Sequence, residues 1–138
     1  MTGSTELVHK VTFTESCRYD IGPEQADVNK LFGIGYLPHH HRNSVRFGWR
    51  YVHAGGMVEI LAYWYRNGER YMNPMALVSI GTPHVYVMRR HENMHQLYLD
   101  KTLMEIPVLS HRYGFLLGPY FGGNMTAPHD IEIKFAPL

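Results

Sequence analysis

Cysteine is almost absent. Cys17 stands alone in 138 residues, so no internal disulfide forms, and it reads as a small buried residue in a strand rather than a reactive thiol. Charge is scarce too: 13 Lys and Arg against 12 Asp and Glu leave a net charge of +1, which argues against a broad nucleic-acid surface. Only four Asp occur and no acidic cluster forms, which gives little support to a structural calcium near Asp130. No apolar run approaches the length of a membrane span, so no membrane insertion is expected. The start, Met1-Thr-Gly-Ser-Thr-Glu6, has neither a basic segment nor an apolar core, so the expectation is no signal peptide and a protein cytoplasmic at synthesis. The Asn124-Met125-Thr126 sequon then carries no weight.

What the chain does have is hydrophobic content of 45%, ten Tyr, ten His and nine Arg. That composition is globular and suits strands and recognition surfaces. One domain, residues 1–138, is expected. Leu7, His9, Val11 and Phe13 alternate with polar neighbours as a first strand. Glu15 to Asp20 reads as a second strand, with Cys17 and Tyr19 on one face. Glu24 to Leu31 is the one stretch that suits a helical turn, and Phe32 to Pro38 reads as loop.

Ser44 to Val52 is the clearest strand. Val45, Phe47, Trp49 and Tyr51 point to the core; Ser44, Arg46, Gly48 and Arg50 form a polar face with a gap at Gly48. Gly55-Gly56 turns the chain into Met57–Arg66, a central strand with two apolar faces, and Asn67-Gly68 signals the next hairpin. Asn73-Pro74 reads as a break. Short strands follow over 75–80, 85–89, 96–99, 103–108 and 112–117. The stretch from Tyr120 to Phe135 turns through Gly122-Gly123, is fixed by Pro128 before His129-Asp130, and ends in a strand with Ile131, Ile133 and Phe135 on one face. About ten strands at roughly ten-residue spacing predict an all-β, antiparallel, jelly-roll-like sandwich.

His91-Glu92-Asn93-Met94-His95 spells a zinc-protease pattern, but that chemistry needs a helix, and both flanks alternate like strands. A hairpin turn is expected there. His39-His40-His41 reads as a solvated loop, because consecutive strand residues point to opposite faces and at most two of the three imidazoles converge. A glycosidase would need two facing carboxylates, and Glu59 and Asp130 are the only attractive pair. No enzyme activity, metal or cofactor is expected. What remains is a binding surface: Arg46, Arg50, Tyr63, Tyr120, Asn124, His129 and Asp130, supported by Trp49, Gly122, Gly123 and Pro128. Flat rings stack on sugar faces and forked donors hold hydroxyls, although the same residue types build protein interfaces, and Arg46 and Arg50 could instead pair with Glu59 or Glu132.

Three segments together carry a resemblance: Asp27-Val-Asn-Lys-Leu-Phe-Gly33; His41-Arg-Asn-Ser-Val-Arg-Phe-Gly-Trp-Arg50 with Glu59 to Arg70; and Pro119-Tyr-Phe-Gly-Gly-Asn-Met-Thr-Ala-Pro-His-Asp-Ile131. From about Phe13 to Phe135 the chain resembles a family of small β-sandwich proteins of Bacteroides-type gut bacteria and their phages, similar to concanavalin-type and jelly-roll modules. The family positions it implies are Asn29, His41, Asn43, Ser44, Arg46, Gly48, Trp49, Arg50, Tyr120, Gly122, Gly123, Pro128, His129 and Asp130. The chain departs from the pattern at Val45, where the family has a small residue, and in the missing export leader. The resemblance by itself fixes no function; taken with the missing leader, the expectation is a non-catalytic accessory protein of a tailed-phage virion, a head-decoration or fibre-associated subunit. Its partners would be other capsid or fibre subunits, copies of itself, or a glycan. The alternative is a carbohydrate-binding module; a lyase or glycosidase is the least favoured reading.

Overall fold

A computed structural model of the chain describes residues 4–110, 114–122 and 126–137. Ten strands are formed: β1 (Ser4–Phe13), β2 (Asn29–Tyr36), β3 (Asn43–Val52), β4 (Met57–Arg66), β5 (Glu69–Ser79), β6 (His84–His91), β7 (Met94–Leu99), β8 (Thr102–Pro107), β9 (Gly114–Leu117) and β10 (Ile133–Ala136). They build two five-stranded antiparallel sheets, ordered β10-β1-β6-β7-β8 and β5-β4-β3-β2-β9. This is the all-β sandwich that the strand spacing predicts. Within it, β2 to β5 and β6 to β8 run as meanders, and the chain changes sheet after β1, β5, β8 and β9.

The core fills the space between the sheets. Val11, Phe13, Tyr86, Met88, Leu97 and Leu99 from the first sheet meet Ile34, Val45, Phe47, Trp49, Val58 and Ile60 from the second, all buried. The alternation read from Ser44–Val52 therefore has the correct face inward. Trp49 is 2% exposed and packs on Phe13 and Tyr19, with ring centroids 5.2 and 5.9 Å apart. The turns follow local chemistry. Asn67 and Gly68 both take positive φ (53° and 84°), the two-residue hairpin geometry. His91 pairs with Met94 across a turn through Glu92, whose φ is 55°. The His-Glu-x-x-His segment is thus a hairpin, with His91 exposed and His95 buried.

Four local expectations need correction. Glu15 to Asp20 is not a strand; Glu15–Cys17 forms a 3-10 turn, with the Cys17 amide donating to Thr14 O at 2.9 Å. The helical turn expected in 24–31 is only a 3-10 turn at Gly22–Glu24, Pro23 in its first positions, and Asn29 already begins β2. Phe32 to Pro38 is not loop: through Tyr36 it belongs to β2, paired to both β3 and β9. Its glycines look like breakers but allow close approach. A Cβ on Gly33 would lie 2.1 Å from Val45 O, and one on Gly35 2.8 Å from the Phe115 ring. Finally, Asn73-Pro74 does not interrupt β5. That strand lies at the sheet edge, and the register slips between Ile60 and Leu61 opposite it, so the missing N–H of Pro74 is tolerated.

Candidate functional site

The outer face of the second sheet carries the site. Register places Gly33, Arg46 and Tyr63 side by side across β2, β3 and β4. Because Gly33 has no side chain, the stem of Arg46 lies over it: a Cβ there would be 2.9 Å from Arg46 Cγ. Two residues further along β3, Gly48 makes the same kind of gap, but Val28 fills it and joins Leu61 and Tyr63 in a small outer apolar cluster. The expected opening at Gly48 is therefore plugged from within, and the open space lies above Arg46.

That space is a pocket of about 590 Å³. Arg46 and Tyr63 form its floor; Tyr65 and Arg70 come from β4 and β5; His40 and His41 come from the β2–β3 loop; Leu117 to Tyr120 form the far wall. The far wall is held by a two-way backbone bridge between Lys30 and Tyr120, with N···O distances of 2.7 and 3.0 Å. Asn29 locks it further. Its Nδ2 donates to the Tyr19 hydroxyl at 2.8 Å, and its Oδ1 accepts from the Gly122 amide at 2.6 Å. Gly122 needs its positive φ of 72° to make that turn. Lys30 Nζ donates to Val28 O and Gly122 O and sits 4.7 Å from the centre of the Tyr63 ring.

The electrostatics are one-sided. Lys30, Arg46 and Arg70 line the pocket with two histidines and no carboxylate. Arg46 is 7% exposed, its buried Nε has no hydrogen-bond partner, and no salt bridge reaches it among the described residues. Burial pulls its guanidinium below the usual arginine range. Burial also lowers Lys30, helped by the positive charges of Arg46 and Arg70 and only partly offset by Asp27. His40 is pushed down by burial and then by Arg46 and its neighbours. Tyr63 is pushed up to about 12 by burial, with the Tyr65 hydroxyl adding to it.

The candidate residues read from sequence do not all converge. Arg46, Tyr63, Tyr120 and Gly122 line the pocket. Arg50 does not: β4 places Glu59 opposite it, at 2.7 Å, and its Nη1 donates to Ala26 O at 2.8 Å. This pairing also occupies Glu59, while Asp130 is exposed in a separate turn, so neither is among the residues lining the pocket. His129 bonds Ser16 O at 2.7 Å, and Pro128 beside it is exposed. Gly123 and Asn124 lie outside the described residues. Trp49 is core and, with Phe121 and Ile133, lines a smaller apolar hollow of about 300 Å³ that shares Lys30, Pro119 and Tyr120 with the pocket. Among the described residues, no three His, Cys, Asp or Glu side chains converge as metal ligands.

Lys30, Arg70 and the His40-His41 pair are not among the binding residues anticipated from sequence. Lys30 was hidden by reading its segment as a helical turn. From Phe32 to Tyr36 the strand alternates with Gly33 and Gly35 on the outer face, but a bulge between Lys30 and Phe32 breaks the period, so alternation does not carry Lys30 to that face.

Fold and site together define a class: an antiparallel β-sandwich with a basic, tyrosine-lined pocket on one outer sheet face. No protein-family model matches the chain, and no curated protein matches it.

Proposed function

We propose that this protein is a non-catalytic, carbohydrate-binding module whose site is the pocket above Arg46. The observation that carries the reading is an open cavity of about 590 Å³ that combines three tyrosines with forked donors. Tyr120 is 63% exposed at its mouth, and a ring with one free face is a stacking platform, while guanidinium groups fix oxygens in its plane. The cavity is of a size for one or two sugar rings. Glu59 is tied to Arg50, and no carboxylate is among the residues lining the pocket, which favours binding over hydrolysis, since glycoside hydrolysis needs two carboxylates across the bond.

The resemblance to proteins of gut bacteria and their phages is consistent with one setting for it: an accessory subunit of a tailed-phage particle that presents this site to a glycan. A glycan array probed with the purified protein tests the function. Wild-type signal that is lost in Tyr120→Ala and kept in Arg50→Ala is the expected result. A silent array with folded protein would overturn the carbohydrate reading and direct the search to protein partners.

A further inference from the structure

We infer that the saccharide taken by this pocket is an acidic one, and that Arg46, Arg70 and Lys30 hold its carboxylate or sulfate. The inference rests on the carbohydrate reading and adds the ligand's charge to it.

The argument starts from Arg46. A guanidinium that is almost fully buried ordinarily sits in an ion pair or a full set of hydrogen bonds, because an uncompensated buried charge is costly. Arg50, two pleats along the same strand face, meets that rule through Glu59 and Ala26 O. Arg46 does not. Register sets Tyr63 opposite it instead of an acid, and its Nε is left without a partner. Lys30 and Arg70 line the same cavity, so three cations face one space. Burial first, and then the charges of Arg46 and Arg70, lower the proton affinity of Lys30. Of the three N–H groups on Lys30, two are spent on Val28 O and Gly122 O, which leaves one for a ligand. Asp27, which acts on Lys30, lines a separate hollow of about 110 Å³ with Lys30 and Arg70 and is not among the residues lining the main pocket.

An oxyanion entering the pocket would supply what is missing. It would accept from Arg46, offset the crowding of positive charge, and make charge-assisted bonds to a guanidinium that is almost fully buried. The sugar ring that carries it would lie against Tyr63, Tyr65 or Tyr120. A nucleic-acid strand fits less well, since the net charge of the whole chain is only +1 and the cations are gathered in one pocket rather than along a groove.

The test is calorimetric titration of the full 138-residue chain with four probes: a galacturonate oligosaccharide, its carboxyl-reduced form, a sulfated galactan oligosaccharide and its desulfated form. A single-stranded oligonucleotide serves as a fifth. The expected result is that one acidic probe binds about tenfold or more tightly than its neutral counterpart, the scale of a lost charged hydrogen bond. The uronate and sulfate arms identify which oxyanion it is. Arg46→Met and the surface variant Arg70→Met should each weaken that binding by about tenfold, with Arg50→Ala within about twofold of wild type. Arg70 is exposed, so its variant keeps the test valid should Arg46→Met fail to fold. Equal binding of acidic and neutral probes would overturn this inference and leave the carbohydrate reading standing. No binding of any saccharide would overturn both. Tighter binding of the oligonucleotide than of any saccharide would overturn the ligand class.

Discussion

Trp49 and His95 show how much a single buried side chain decides here. Trp49 sits among Phe13, Tyr19 and Phe121 at 2% exposure. Its replacement by Ala leaves a cavity that two sheets cannot close, so a loss of about 3–5 kcal/mol is expected in urea unfolding. Retained stability with lost binding would mean the ring is a surface platform after all. His95 is fully buried, and its Nε2 lies 2.7 Å from the hydroxyl of Tyr36 on the other sheet, a polar bolt across the core. Arg90, its cross-strand partner, reaches the same hydroxyl at 3.4 Å. Burial first, and the Arg90 charge with it, push His95 down to about 4. Unfolded, the imidazole titrates near the ordinary histidine value of 6.5. The unfolded chain therefore binds the extra proton between those values, so this contribution is complete above pH 6.5 and is lost as pH falls toward 4. The shift is worth on the order of 3 kcal/mol. Urea midpoints at pH 7 and pH 4.5 should fall further for wild type than for His95→Gln; parallel losses would remove His95 as the cause.

At the scale of elements, β2 is the strand that makes the site. It carries Lys30, gives Arg46 its space through Gly33, and pairs with both β3 and β9. The two glycines should not respond alike to substitution. A Cβ on Gly33 meets backbone, Val45 O at 2.1 Å, which cannot move without breaking the β2–β3 pairing. A Cβ on Gly35 meets the edge of the Phe115 ring at 2.8 Å, which can turn away, and His40 Cβ less tightly at 3.1 Å. Gly33→Ala is expected to cost at least about 3 kcal/mol and Gly35→Ala nearer 1 kcal/mol by thermal or urea unfolding. The reverse order would show that β9, not β3, is the tighter neighbour of β2. This strand was illegible for a physical reason: glycine signals a turn in local sequence and close packing in a sheet, and only the neighbouring strand decides between them. Pro74 misleads in the same way, because an edge strand does not need its N–H.

For the whole molecule, the positive charge is local rather than global. The net charge is only +1, yet three cations meet in one pocket. Added salt should therefore act on binding and not on folding. Between about 0.05 and 0.5 M salt, affinity for an acidic saccharide is expected to fall by about tenfold or more while the melting temperature moves by only a few degrees. Salt-insensitive binding would mean that the rings, not the cations, supply the affinity. Among the described residues, no helix is long and apolar enough to cross a membrane, and the described strands are used in the two packed sheets.

Local chemistry determined much of this protein. Period-two alternation over Ser44–Val52 and Met57–Arg66, and the turns at Asn67-Gly68 and Glu92-Asn93, depend on neighbours in sequence, and they sufficed for an all-β sandwich with Trp49 inward. They also set Arg46 and Arg50 on one face. What they could not settle was the difference between those two arginines. Alternation states the face a side chain takes, not the strand that lies beside it. Only the β3–β4 register put Glu59 opposite Arg50 and Tyr63 opposite Arg46. That left one arginine paired and the other open, and brought Lys30 and Arg70 to join it from positions 16 residues before and 24 residues after in the chain.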